Sequence, residues 1–161
     1  MGGSQGARRL NELVAEGTEG TAWQVLHLTG QADFERLSEQ VGKRDGYKVL
    51  AFCEGMAAAY AVSDFCVARS GASSLTELSH AGLPALLVPF PFAADDHQTA
   101  NARVFEKAGA AILIHEKDLE AKTITDMLSE LDDGILKNMS ESMLNLTNPA
   151  AAAQIVNVIE G

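Results

Sequence analysis

Three short stretches of the 161-residue chain put glycine, hydroxyl and amide or carboxylate groups at the start of an amphipathic segment. The first is Gly2-Gly3-Ser4-Gln5-Gly6-Ala7. Its glycines permit a tight turn and close backbone approach, and the helix that follows would offer free N–H groups and a positive dipole end. Ser4 adds a hydroxyl donor. This suits a diphosphate, and it suits an ordinary strand-to-helix turn equally well. It is neither a Walker motif nor a spaced dinucleotide fingerprint. The second stretch is Arg69-Ser70-Gly71-Ala72-Ser73-Ser74-Leu75-Thr76-Glu77. Here Glu77 falls about one turn into a helix, where a carboxylate can accept two hydrogen bonds from a vicinal diol such as ribose. The competing assignment gives Glu77 to the helix dipole and makes Ser73 or Ser74 the cap. The third runs from Pro89 to Ala102. Asp95 or Asp96 would cap its helix, and His97, Gln98 and Asn101 form a neutral amide and imidazole cluster suited to reading sugar hydroxyls, while the pattern taken alone slightly favours a proline-shaped loop leading into a capped surface helix.

The elements that must position these groups follow from the apolar pattern. Short apolar runs at Trp23–Leu28, Lys48–Phe52, Asp64–Ala68, Pro84–Val88 and Ala110–Ile114 mostly lack period-two alternation, as strands covered on both faces do. Between them lie helical segments at Ala7–Glu16, Ala32–Val41, Met56–Val62, Ser73–Ala81 and Gln98–Lys107. The βαβα rhythm predicts an α/β fold, a Rossmann-like parallel sheet with helices on both faces. All three stretches then open onto the carboxyl edge of that sheet, where open α/β folds bind ligands. After Ile114 the pattern becomes helical: one segment capped by Asp118 and reaching about Ser129, then Gly134–Asn145 and Ala150–Ile159. A glycine turn of the first kind normally follows a buried strand, yet Gly2 is the second residue. The expectation is a chain cut from something longer and a sheet that lacks an inner strand or borrows a substitute from elsewhere.

Composition narrows the function classes. Hydrophobic residues make up 47% and charged residues 21%, ordinary values for one globular domain. The formal charge of -10 repels nucleic acid, and no basic stripe offsets it. Met1 leads into Gly2-Gly3-Ser4 without a basic and apolar leader. The longest apolar run, Leu83 to Ala94, is interrupted by Pro84, Pro89 and Pro91 and falls short of the ~20 residues that span a bilayer. Cys53 and Cys66 read as reduced thiols of a cytoplasmic protein. His27, His80 and His115 lie in separate elements without ligand spacing, so no metal is expected.

Taken in order, Gly2-Gly3-Ser4-Gln5-Gly6-Ala7, Met56-Ala57-Ala58-Ala59-Tyr60, Arg69-Ser70-Gly71-Ala72 with Glu77, Ala81-Gly82-Leu83-Pro84-Ala85, and Asp96-His97-Gln98 with Asn101-Ala102 resemble the C-terminal domain of the MurG family across nearly the whole chain. The resemblance implies the C-terminal half of a GT-B glycosyltransferase, with residues 1–161 holding UDP-N-acetylglucosamine and the N-terminal acceptor domain absent. It implies an inverting hexosyltransferase that moves N-acetylglucosamine to a lipid-linked acceptor, lipid I, in peptidoglycan synthesis. The full-length protein would be peripheral on the inner face of the cytoplasmic membrane. By the same resemblance, Gly3, Ser4, Ala72, Ser73 and Ser74 contact the diphosphate and Glu77 the ribose. The backbone around Cys53 pairs with uracil, and His97 and Gln98, with Asn101 beside them, meet the sugar. Arg69 supports the phosphate loop or the leaving group. No cofactor or metal is implied, and no catalytic residue, since the general base belongs to the absent domain.

The sequence departs from the family pattern at His97, where some members carry glutamine, and at Ser73-Ser74, where a hydrophobic-Thr pair is common. Two other readings fit the motifs less well. One is a separate donor-binding subunit of a split UDP-sugar transferase; the other is a flavodoxin-like binding module whose glycine turns are structural.

Overall fold

A computed structural model describes residues 7–93 and 96–147. Within them, five strands alternate with helices: α1 (Arg8–Gly17), β1 (Val25–Leu28), α2 (Gln31–Val41), β2 (Tyr47–Leu50), α3 (Met56–Ala61), β3 (Cys66–Ala68), α4 (Ala72–Ala81), β4 (Ala85–Leu87), α5 (His97–Lys107) and β5 (Ala111–Leu113). A 3₁₀ turn at Glu116–Asp118 leads to α6 (Ala121–Glu130) and α7 (Asp133–Leu144). The segment expected to be helical over Ala150–Ile159 lies outside the described residues.

Every strand pair is parallel, but the strands form two sheets: β1 with β2, and β3–β4–β5. A doubly wound sheet has the order 3-2-1-4-5-6. Here β1 and β2 correspond to the second and third strands of that order and β3 to β5 to the fourth to sixth, and no strand of the described residues fills the central place between β1 and β3. An apolar cavity of about 140 Å³ marks it, lined by Leu26 and Leu28 of β1, Cys66 and Val67 of β3, Leu10 and Val14 of α1, and Ala59 and Tyr60 of α3. Close-packed interiors rarely leave voids much larger than a water molecule. The break therefore falls at the inner position that the sequence pattern leaves without a strand.

The layers around the larger sheet follow from alternation along β4. Successive side chains of a strand point to opposite faces. Ala85 and Leu87 pack with Leu75 and Leu78 of α4, Ala102 of α5 and Met143 of α7. Leu86 and Val88 pack the other way, with Leu10 and Val14 of α1 and with Ile124 and Leu128 of α6. Burial of β4 on both faces is why its sequence shows no polar alternation.

Two glycines are fixed by geometry. Gly82 closes α4 in the left-handed region (φ 61°, ψ 28°), while the Leu83 N–H bonds back to Leu78 O at 3.0 Å. Gly17 ends α1 where it crosses α6: a Cβ there would sit 2.6 Å from Ala121 O and 2.7 Å from Ile124 Cβ.

Helix starts differ from the sequence expectations at three points. Gly71, not Ser73 or Ser74, occupies the N-cap of α4, and both serines lie inside the first turn. Asp118 belongs to the 3₁₀ turn, and α6 begins after Glu120, which caps it without a side-chain bond. Asp96 takes the N-cap position of α5 in a left-handed conformation, again without a capping bond. Asp132 does cap α7, accepting from the Ile135 N–H at 2.7 Å.

Candidate functional site

Helix α4 leaves the carboxyl end of β3 through Arg69-Ser70-Gly71. The first N–H groups of any helix lack intrahelical acceptors. At α4 no described side chain caps them, and a Cβ placed on Gly71 would meet nothing within 4 Å. Among the described residues, the N–H groups of Ala72, Ser73 and Ser74 therefore stand without a capping side chain at the positive end of a ten-residue helix. Ser73 is exposed and Ser74 half-buried, so each brings a hydroxyl to the same spot.

Glu77 lies on the exposed side of the same helix. One of its oxygens, Oε2, accepts from the Tyr60 hydroxyl of α3 at 2.7 Å. Burial, reinforced by the adjacent carboxylate, holds the Tyr60 phenol well above its ordinary range, so it remains a donor. An ionised carboxylate has about four lone-pair positions. One bond to Tyr60 leaves capacity for a diol.

The loop after β3 is tied to the loop after β4 and to α5. Ser70 Oγ donates to Gln98 O at 2.8 Å, and Asn101 Nδ2 donates to Ser70 O at 3.4 Å. Gln98 Oε1 accepts from the Phe90 N–H at 3.0 Å, which leaves the NH₂ end of that amide for a ligand. Asn101 thus serves the Ser70 turn. His97 is exposed at the start of α5.

Arg69 is buried, with its guanidinium turned inward. Its Nη1 donates to Val88 O and Pro89 O, both at 3.2 Å, its Nη2 pairs with Glu116 Oε2, and it lies over the Phe90 ring. These contacts staple the exit of β4 to the exit of β3. They also set a carboxylate against the charge, so Arg69 acts on the loops it braces. The Glu116 partnership, 47 residues away, was not signalled by any motif.

The remaining sequence-singled residues separate from this group. Cys53 is half-buried in the loop between β2 and α3, beside the exposed Glu54 and Gly55. It leaves the other sheet. Gly3 and Ser4, assigned to the diphosphate, and Asp95 lie outside the described residues. His27 on β1 is structural: its Nε2 lies 3.1 Å from Asn11 Oδ1 and its Nδ1 2.7 Å from the Tyr47 hydroxyl. The Asn11 amide nitrogen donates to Thr29 O and to Asp33 Oδ2, so its oxygen faces the imidazole, assigning the proton to Nε2. Among the described residues, no group of three or more His, Cys, Asp and Glu side chains could hold a metal, and no helix is long and apolar enough to cross a membrane.

The site can therefore present N–H donors and hydroxyls to an anion, a held carboxylate to a diol, and a neutral amide to a third group. The family model described as glycosyltransferase family 28 C-terminal domain matches residues 1–156. A UDP-N-acetylglucosamine--N-acetylmuramyl-(pentapeptide) pyrophosphoryl-undecaprenol N-acetylglucosamine transferase of Thiobacillus denitrificans is 40% identical, over 99% of this chain and 45% of its own length. One of the same name from Halorhodospira halophila is 42% identical, over 99% of this chain and 47% of its own. The chain thus spans about half the length of the curated relatives it matches. The crystal structure of Acinetobacter baumannii MurG superimposes with a TM-score of 0.90 at 31% identity, covering 99% of this chain and 48% of that one. The glycosyltransferase VinC, solved in complex with DTDP, shares the fold at 20% identity, with a TM-score of 0.67 over 94% of this chain and 37% of its own.

Proposed function

The chain belongs to the glycosyltransferase family 28 C-terminal domain family, and from that premise we propose that it is the donor-binding half of a GT-B N-acetylglucosaminyltransferase. The donor is UDP-N-acetylglucosamine, and the acceptor is the lipid-linked muramyl-pentapeptide that an accompanying N-terminal domain would hold. The names of the relatives, at 40% and 42% identity, support that assignment. The observation that carries it is local: the start of α4, uncapped among the described residues, and the Glu77 carboxylate stand about one and a half turns apart on one helix. A nucleoside diphosphate presents an anion and a ribose diol with that kind of separation.

In this reading the α4 N–H groups and the Ser73 and Ser74 hydroxyls take the diphosphate, and Glu77 takes the ribose. Backbone near Cys53 meets uracil. The Gln98 amide, with His97 beside it, reads the sugar. Inverting transfer needs stabilisation of the departing diphosphate and a base on the acceptor hydroxyl. The α4 dipole supplies the first without a metal. The base would come from the acceptor domain, and the whole enzyme would work at the inner membrane face.

Calorimetric titration with UDP-N-acetylglucosamine, UDP and GDP tests the proposal. Saturable binding of both uridine compounds, absent for GDP and lost in Glu77→Ala, is the expected result. Uridine affinity that survives Glu77→Ala overturns the site assignment. Glycosyl transfer by these 161 residues alone overturns the division of labour.

A further inference from the structure

We infer that Tyr60 is a positioning residue for the nucleotide's ribose, holding the Glu77 carboxylate in the orientation that accepts the diol. This inference rests on the donor-site reading above. The two residues belong to different helices, α3 and α4, and meet only because those helices pack together. Their ends contrast. The Tyr60 ring sits in the core cluster with Leu75, Leu78 and Leu83, 8% exposed, so its hydroxyl is delivered to one place. Glu77 is an exposed side chain with three rotatable bonds, and on a bare helix surface it would sample several rotamers. The 2.7 Å bond from the Tyr60 hydroxyl to Oε2 selects among them.

That selection has a direction. With Oε2 engaged on the α3 side, Oε1 and the second lone pair of Oε2 remain for a ligand. Because α4 starts about one and a half turns earlier, after Gly71, a nucleotide whose diphosphate sits at the helix start brings its ribose towards these lone pairs. Ordering Glu77 before the ligand arrives removes a cost that binding would otherwise carry. Loss of the hydroxyl should therefore weaken UDP binding by about three- to tenfold, with the ring and its packing unchanged.

The test is a binding cycle in four proteins, wild type, Tyr60→Phe, Glu77→Ala and the double variant, each titrated with UDP and with 2′,3′-dideoxy-UDP. Thermal unfolding of each confirms the fold. The expected result has three parts: Tyr60→Phe weakens UDP by about three- to tenfold, it leaves the dideoxy compound within about twofold, and it adds nothing in the Glu77→Ala background. Equal losses for UDP and the dideoxy compound would mean that Tyr60 only supports the fold, and would overturn the inference. So would undiminished UDP affinity in Tyr60→Phe when Glu77→Ala is impaired, which leaves the donor reading standing. If Glu77→Ala itself binds UDP normally, or if the wild type binds none, the donor reading fails and this inference fails with it.

Discussion

Acidification should destabilise this fold through one residue, His27. The imidazole is 7% exposed, and burial, chiefly, lowers its pKa from 6.5 to about 4. It is neutral in the native state, with Nε2 donating to Asn11 and Nδ1 accepting from Tyr47. In the unfolded chain it takes up a proton once the pH falls below 6.5. Stability is therefore intact above that value and declines as the pH falls towards 4, where the native imidazole protonates as well. A shift of about 2.5 units at 1.36 kcal/mol per unit gives a total loss of about 3 kcal/mol, and about 2 kcal/mol of it has gone by pH 5. Against a typical stability of 5–15 kcal/mol this is a large fraction. Carboxylates titrate in the same range, so the assay must isolate the histidine. Urea unfolding of wild type and His27→Gln at pH 7.5, 6 and 5 does so, because all other groups are common to both. Glutamine stays neutral, so the wild type's advantage should shrink by about 2 kcal/mol between pH 7.5 and 5. A difference that stays constant to within about 0.5 kcal/mol over that interval would refute the burial argument.

Two other outcomes follow from packing and charge. Gly17→Ala places a Cβ within 2.7 Å of α6 and should cost at least 1–3 kcal/mol as α1 and α6 separate, seen as a lower urea midpoint. Glu116→Ala leaves the buried Arg69 guanidinium without its carboxylate and should cost about 3–5 kcal/mol, whereas Glu116→Gln, which keeps an acceptor oxygen, should cost clearly less; equal losses in the two variants would argue against the ion pair.

The strands were legible as short apolar runs between helical segments, although only β4 is buried at every position, while β1 and β2 leave Leu26 and Lys48 exposed. The runs overshot the observed strands at one end or both by a residue or two, and Lys48–Phe52 also missed Tyr47, the first residue of β2. Trp23 precedes β1 and sends its indole N–H to Leu128 O at 3.2 Å, a contact 105 residues away. Helix caps were less legible. Two serines and an aspartate looked like caps by type, yet backbone direction at Gly71 and the 3₁₀ turn before α6 decided the starts. In the site, Glu77, Gln98 and Asn101 were readable as residues at helix starts. What each one touches was not. The Tyr60–Glu77 and Arg69–Glu116 contacts join elements whose spacing in the chain carries no periodic signal. His27 is the clearest case: as a lone histidine it suggested nothing, and its partners come from α1 and β2.

The break between β1 and β3 also bears on how the proposed nucleotide site would be held to size. Cys53 follows the two-stranded sheet, while the α4 start and the α5 residues follow the three-stranded one. Within each sheet, ladder bonds set distances stiffly. Between the sheets, the described residues supply side-chain contacts through α1 and α3 in place of a ladder. The distance from the Cys53 loop to the α4 start is thus set, among the described residues, by side-chain packing and not by ladder bonds. A nucleotide gripping both loops would act as a clasp across that break, so its binding should tighten the joint as well as fill the pocket.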